Sequence, residues 1–182
     1  MNHPDPLDSI DDEVRFLLAG VRLVALDVDG VLTDGRVIYA GAEEEQHFDV
    51  RDGQGLVWLR RAEIEVAWIS GRGCAATERR AQELDVRLYA GSGTKRQRLA
   101  ALQSELGIEP EHTLAMGDDL PDLGLAACAG LFCAPADARR EVQARARLVT
   151  RACGGRGAVR EVCEAILAAK GLWRGIVDGA DG

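Results

Sequence analysis

The sequence predicts an α/β fold with a parallel sheet held between layers of helix, and three observations carry that reading. Short apolar runs recur along the 182 residues, segments with helical periodicity lie between them, and the strongest runs end abruptly at Asp27, Ser70 and Gly117. The runs Leu23-Val24-Ala25-Leu26, Val66-Ala67-Trp68-Ile69 and Thr113-Leu114-Ala115-Met116 are continuous rather than alternating. Such runs suit strands covered on both faces.

Taken in order, Ile10, Val14, Leu17 and Leu18 mark an amphipathic helix within an N-terminal extension, residues 1–20. After the first strand, Gly35 to Gly41 and Gln46 to Val50 are two β-prone runs about an acidic turn. They predict a hairpin insertion over about 35–50. Val86 to Tyr89, Leu131 to Cys133 and Leu148-Val149 are weaker strand candidates. Leu99, Leu102 and Leu106 recur at helical spacing, as do Val159, Val162, Cys163, Ile166 and Leu167. Asp119-Leu120-Pro121 reads as a helix start, where the missing proline N–H does no harm. Residues 171–182, rich in Gly and Asp, read as a flexible tail. Strands alternating with helices in short units predict a three-layer α/β/α sandwich with a Rossmann-like sheet, one domain over 21–170.

Composition narrows the function. A net charge of −8 disfavours a general nucleic-acid binder, which needs a basic surface to neutralise phosphates. No apolar run approaches the roughly 20 residues of a membrane helix. Met1 to Asp12 holds four Asp and no Lys or Arg, the reverse of a secretory leader. Cys74, Cys128, Cys133, Cys153 and Cys163 are scattered without a CxxC pair, so buried thiols in a reducing cytosol are expected. His47 and His112 are expected at the surface. The expectation is a cytoplasmic protein with no nucleic-acid or membrane partner.

The unusual polar residues gather where a parallel sheet binds ligands, beyond the carboxyl ends of its strands. Asp27 and Asp29 follow the first strand, Ser70-Gly71-Arg72 the second, and Gly117-Asp118-Asp119-Leu120-Pro121-Asp122 another, while Lys95 opens a helix. Two like charges about 4 Å apart repel by about 4 kcal/mol even at an effective dielectric near 20. Either the carboxylates raise one another's pKa or cations hold them together. An oxygen-only set without His or Cys suits a hard cation, and Mg²⁺ is the one that accompanies phosphate substrates. With Ser70, backbone N–H groups and Lys95 to bind a phosphate, the set suits phosphoryl transfer by way of a carboxylate nucleophile.

Asp27-x-Asp29-x-Val31, Ser70, Lys95 and Gly117-Asp118-x3-Asp122 match, in order and spacing, the four motifs of the haloacid dehalogenase superfamily, and the chain resembles that family over about residues 21–122. The finer text extends the likeness over 21–169, to the members that dephosphorylate sugar acids. It comprises Asp27 to Gly35, Val50-Arg51-Asp52-Gly53, Ser70-Gly71-Arg72 and Gly154 to Glu161. The resemblance implies that Asp27 is nucleophile and metal ligand, and that Asp29 is the general acid and base. Asp29 would also bind Mg²⁺ through its backbone carbonyl, with Asp118 as the third ligand. Ser70 and Lys95 would hold the phosphoryl group, with Asp119 and Asp122 as supports. Arg72, Arg80 and Arg156 would contact substrate or a neighbouring subunit. The gaps after Asp34 and after Tyr89 hold no cap domain, so a capless enzyme is implied, a homotetramer whose protomers complete one another's sites. An eight-carbon sugar-acid 8-phosphate is the favoured substrate, and a nine-carbon, sialic-acid-like 9-phosphate is the alternative.

Overall fold

The computed structural model describes residues 5–41, 43–91 and 93–179. Its centre is β1 (Leu23–Leu26), entirely buried and hydrogen-bonded in parallel to β4 (Glu65–Ser70) on one side and β6 (Thr113–Met116) on the other. β5 (Arg87–Ala90) pairs outside β4, while β7 (Leu131–Ala134) and β8 (Leu148–Val149) continue beyond β6. The order is β5-β4-β1-β6-β7-β8, so the chain first builds outward from β1 in one direction and then returns to build in the other. That reversal opens a crevice at the carboxyl ends of β1 and β6.

Side chains alternate across the central strand, and the two faces make two cores. Val24 and Leu26 join Trp68, Met116 and the helices α1 (Asp12–Gly20), α2 (Val50–Arg61), α3 (Ala75–Leu84) and α7 (Ala158–Ala169). Leu23 and Ala25 join Ile69, Phe132 and the helices α4 (Lys95–Leu106), α5 (Leu123–Ala126) and α6 (Arg140–Gln143). This is the three-layer α/β/α sandwich that the continuous apolar runs predict. No described helix is long and apolar enough to cross a membrane. The cysteines are free thiols, and burial raises the pKa of Cys133 and Cys163, which keeps them unreactive.

The structure departs from the sequence reading in two places. The hairpin pairs β2 (Ile38–Ala40) with β3 (Glu43–Glu45), so the acidic stretch is itself a strand. Gly41, at φ +68°, reverses the chain sooner than expected. Gln46 to Asp49 therefore runs on as unpaired chain into α2, with Asp49 capping that helix through Arg51 N at 2.8 Å. At the other end, α8 (Trp173–Asp178) stands where a flexible tail was expected, because Trp173 and Ile176 pack on the larger core. Residues 180–182 of that expected tail lie outside the described residues.

α7 has Gly157 at its N-cap and so no side-chain cap of its own. Asp52 of α2 supplies one across the fold, accepting from Arg160 N at 2.7 Å and Gly157 N at 3.3 Å. Asp52 is 1% exposed, and burial lifts its pKa to about 6 in spite of those bonds, with Asp49 adding to the rise. A raised acid pKa means that the folded state binds the proton more tightly. The stabilisation from Asp52 is therefore full below about pH 4 and lost as pH rises through about 6, a change on the order of 2–3 kcal/mol. Asp52→Asn removes this titration. Thermal melts between about pH 4 and 7 should show wild type gaining on the mutant as pH falls, and a constant difference would contradict the assignment.

Candidate active site

β1 stops because Asp27 follows Leu26, yet Asp27 N still donates to Met116 O at 3.0 Å, so the carboxylate is carried to the edge of the sheet. Val28 O then accepts from Val31, Leu32 and Thr33 N, closing a tight turn behind Asp29. Gly30 in that turn has φ +93°, and a Cβ there would fall 2.2 Å from Asp118 Oδ2. Only glycine lets Asp118 lie against the loop. From behind, Gly154 approaches so closely that a Cβ would sit 1.8 Å from Gly30 O, and Gly155 N donates to Val31 O at 2.9 Å. The Gly-rich segment before α7 is thus a brace for the Asp27–Asp29 loop rather than a loose connection.

Lys95, the first residue of α4, reaches into this pocket between two carboxylates. Its Nζ lies 2.6 Å from Asp27 Oδ1 and also contacts Asp122 Oδ1. The helix is started by Thr94 and Gln97 in a reciprocal capping box, which fixes where Lys95 emerges. Asp122 is fully buried, and its Oδ2 accepts from Asp118 N at 3.0 Å and Asp119 N at 3.2 Å. Asp122 thereby ties the β6 loop to Lys95. Burial lowers the Lys95 pKa, but Asp27 and Asp122 outweigh it and the net shift is upward, so the ammonium stays charged. Burial, then Asp122, drive Asp27 well above the usual carboxylate range, with Lys95 opposing. Asp118 is pushed to about 6 by burial, then by Asp122 and Asp119.

One lysine does not satisfy this cluster. Asp27, Asp118 and Asp122 each offer a carboxylate oxygen, all within 4.8 Å of one another. Both oxygens of Asp122 are engaged, whereas buried Asp118 Oδ1 has no hydrogen-bond partner. A buried oxygen left without a donor is costly, and an oxygen-seeking divalent cation between Asp27 and Asp118 would relieve it.

Asp29 sits to the side, half-buried. Arg72 Nε donates to its Oδ2 at 3.2 Å, and Gln46 Nε2 to its Oδ1 at 2.9 Å. Arg72 also reaches Glu44 Oε1 at 2.5 Å, while Gln46 Oε1 accepts from the Thr77 hydroxyl. Ser70 ends β4, 3% exposed, and its Oγ accepts from Arg72 N at 3.1 Å. Asp27, Asp29, Ser70, Arg72, Lys95, Asp118 and Asp122 therefore belong to one pocket or its wall. Asp119 lies at the rim as an exposed cap for Leu120 N. Two expected substrate contacts stand apart: Arg80 pairs with Glu83 at 3.1 Å over Gly53, and Arg156 is largely exposed, 3.8 Å from Asp34. His47 is exposed, and His112 bonds Gly20 O through Nδ1. Glu44, Gln46 and Thr77 were not singled out from sequence. In the structure Glu44, Gln46 and Phe48 are half-buried while Glu45 and His47 are exposed, and no sequence signal marks Thr77.

Gly30→Ala tests the closeness of the two acidic loops. The strained φ and the clash with Asp118 should destabilise by about 1–3 kcal/mol, lowering Tm by about 2–10 °C in a chain of this size. The mutant should also lose the rise in Tm that a divalent cation gives the wild type. Melting curves that match wild type with and without the cation would contradict the contact.

The geometry agrees with comparisons to known proteins. Residues 79–159 match the model of the haloacid dehalogenase-like hydrolases. The 3-deoxy-D-manno-octulosonate 8-phosphate phosphatase of Escherichia coli is 46% identical over 165 residues, 89% of this chain and 87% of that one. A crystal structure of a hypothetical protein from Xanthomonas campestris superposes with TM-score 0.94 at 42% identity, covering 98% of both chains. That of the Moraxella catarrhalis 3-deoxy-D-manno-octulosonate 8-phosphate phosphatase, in complex with magnesium, phosphate and the sugar acid, superposes with TM-score 0.89. It is 38% identical and covers 92% of this chain and 98% of its own. The chain belongs to the haloacid dehalogenase-like hydrolases, among the relatives of these sugar-acid phosphatases.

Proposed function

We propose that the protein hydrolyses 3-deoxy-D-manno-octulosonate 8-phosphate to the free sugar acid and phosphate, through a phosphoryl group carried on Asp27. The observation that carries this reading is the buried Asp27 carboxylate at the end of β1, paired with Lys95 and crowded by Asp118. Asp27, Asp118 and the Asp29 backbone carbonyl would hold Mg²⁺. Bound there, the ion would supply positive charge to offset that of the phosphoryl oxygens.

In the first displacement an Asp27 oxygen bonds to phosphorus as the bond to the sugar oxygen breaks. Asp29, entering as the acid, gives its proton to that departing oxygen. In the second, water attacks the phosphorus, Asp29 takes the water's proton, and the Asp27–phosphorus bond breaks. The carboxylate is free again and Asp29 is recharged for the next cycle. Lys95, steered by Asp122, offsets the charge that gathers on the phosphoryl oxygens, with Ser70 as a further hydrogen-bond partner. Arg72 spans Asp29 and Glu44, so a substrate carboxylate would compete with Glu44 for its guanidinium.

Phosphate release from the sugar-acid phosphate should stop on chelation and in Asp27→Asn. Asp29→Asn should lower kcat by about 10²–10⁴-fold. Normal turnover in Asp27→Asn would remove the nucleophile. Faster release from a nine-carbon 9-phosphate than from the eight-carbon substrate would instead reassign the specificity.

The same reading places the enzyme in the cytoplasm, in the making of lipopolysaccharide precursors, as a homotetramer. Among the described residues the pocket has no cap domain of its own, and the hairpin beside it exposes Tyr39 (78%) and Val37 (42%), apolar surface suited to a neighbouring protomer. Arg80 and Arg156 would then serve a shared site. Light scattering should give the mass of four chains, and Tyr39→Glu should lower both that mass and activity. A fully active monomer would sink this part of the proposal.

A further inference from the structure

The hairpin carries an inward face that outlasts its ladder. Beyond β3 the burial still alternates: Glu44, Gln46 and Phe48 are half-buried while Glu45 and His47 are exposed, which sets the first three to one side. Glu44 meets Arg72, Phe48 stacks on Trp68 at 5.9 Å, and between them Gln46 meets Asp29. Phe48 and Glu44 thus fix the stretch of backbone from which Gln46 projects.

A side-chain amide has a donor end and an acceptor end. Thr77, 2% exposed on the first turn of α3, gives its hydroxyl proton to Gln46 Oε1, which leaves Nε2 to face Asp29 Oδ1 at 2.9 Å. Turned over, the amide would set its oxygen against a carboxylate oxygen, a repulsive contact. Arg72 faces the same carboxylate, its Nε 3.2 Å from Oδ2 and its Nη2 3.4 Å from Oδ1, but that guanidinium is shared with Glu44. Gln46 is the neutral partner.

We propose that Gln46, its amide fixed by Thr77, is a positioning residue for Asp29. It holds the carboxylate in one rotation, so that the proton leaves and returns along the same line in both displacements. The inference rests on Asp29 being the proton carrier.

The test is steady-state kinetics of the Mg²⁺-loaded protein across pH, with Tm measured for each variant. Gln46→Leu should lower kcat by about 10- to 100-fold, the scale of a small misplacement of a reacting group, with KM changed by no more than about threefold. The kcat–pH profile should shift with it. Thr77→Val should reproduce part of the loss, and Thr77→Ser, which keeps the hydroxyl, should restore it. Asp29→Asn separates the two levels. If that variant keeps wild-type kcat, the proton-carrier assignment falls and this inference falls with it. If Asp29→Asn is inactive while Gln46→Leu and Thr77→Val stay within about twofold of wild-type kcat, only the positioning role is overturned. A loss confined to KM, or one that Thr77→Ser does not rescue, would overturn it as well.

Discussion

The pocket is governed by one electrostatic constraint: Asp27, Asp118 and Asp122 share a space too dry to screen them, and Lys95 bridges two of the three. In water such carboxylates would repel weakly, but burial removes most of that screening. The chain answers with unequal treatment. Asp122 is fully satisfied by Lys95 and two backbone N–H groups, and becomes structure. Burial, then the charge of Asp122, raises the pKa of Asp27 and Asp118, and Lys95 does not offset it, which creates an appetite for a cation.

The fold is what makes the crowding possible. β1 lies between β4 and β6, so the residues just past its end face loops built from distant parts of the chain. The glycines do the rest at short range: Gly30 admits Asp118 from the front, and Gly154 admits the brace from behind. The hairpin then closes one flank with Glu44 and Gln46, and ties Asp29 to α3 through Thr77. A separate cap is absent from this arrangement among the described residues. Its place is taken in part by side chains on a strand of only three residues and its continuation.

Much of this was legible in the sequence because burial on both faces leaves an unmistakable record. The runs Leu23–Leu26 and Thr113–Met116 are apolar at every position or nearly so, and the polar residues that end them stand out. Asp27, Ser70 and Asp118 could be picked by that contrast alone, and the roles of Lys95 and Asp122 came from the resemblance to the four motifs. The second hairpin strand was not legible, since three consecutive glutamates carry no β propensity and owe their conformation to the turn at Gly41 and to pairing with Ile38–Ala40. Nor was α8, whose Gly175 weakens local helix preference and which is held by Trp173 and Ile176 against the core. Gln46 and Thr77 are 31 positions apart, and nothing local links them. Arg80 and Arg156 came from the resemblance, and within one chain each rests beside a local partner. Here one lies over Gly53 and the other reaches Asp34.

The account turns on the carboxylates being held together by a cation that they bind in competition with protons. Calorimetric titration of the protein with Mg²⁺ near pH 6, repeated in two buffers of different ionisation enthalpy, measures that directly. The prediction is one ion bound per chain, with protons released as Asp27 and Asp118 lose theirs to the metal. Binding without proton release, or no stoichiometric binding at all, would contradict it.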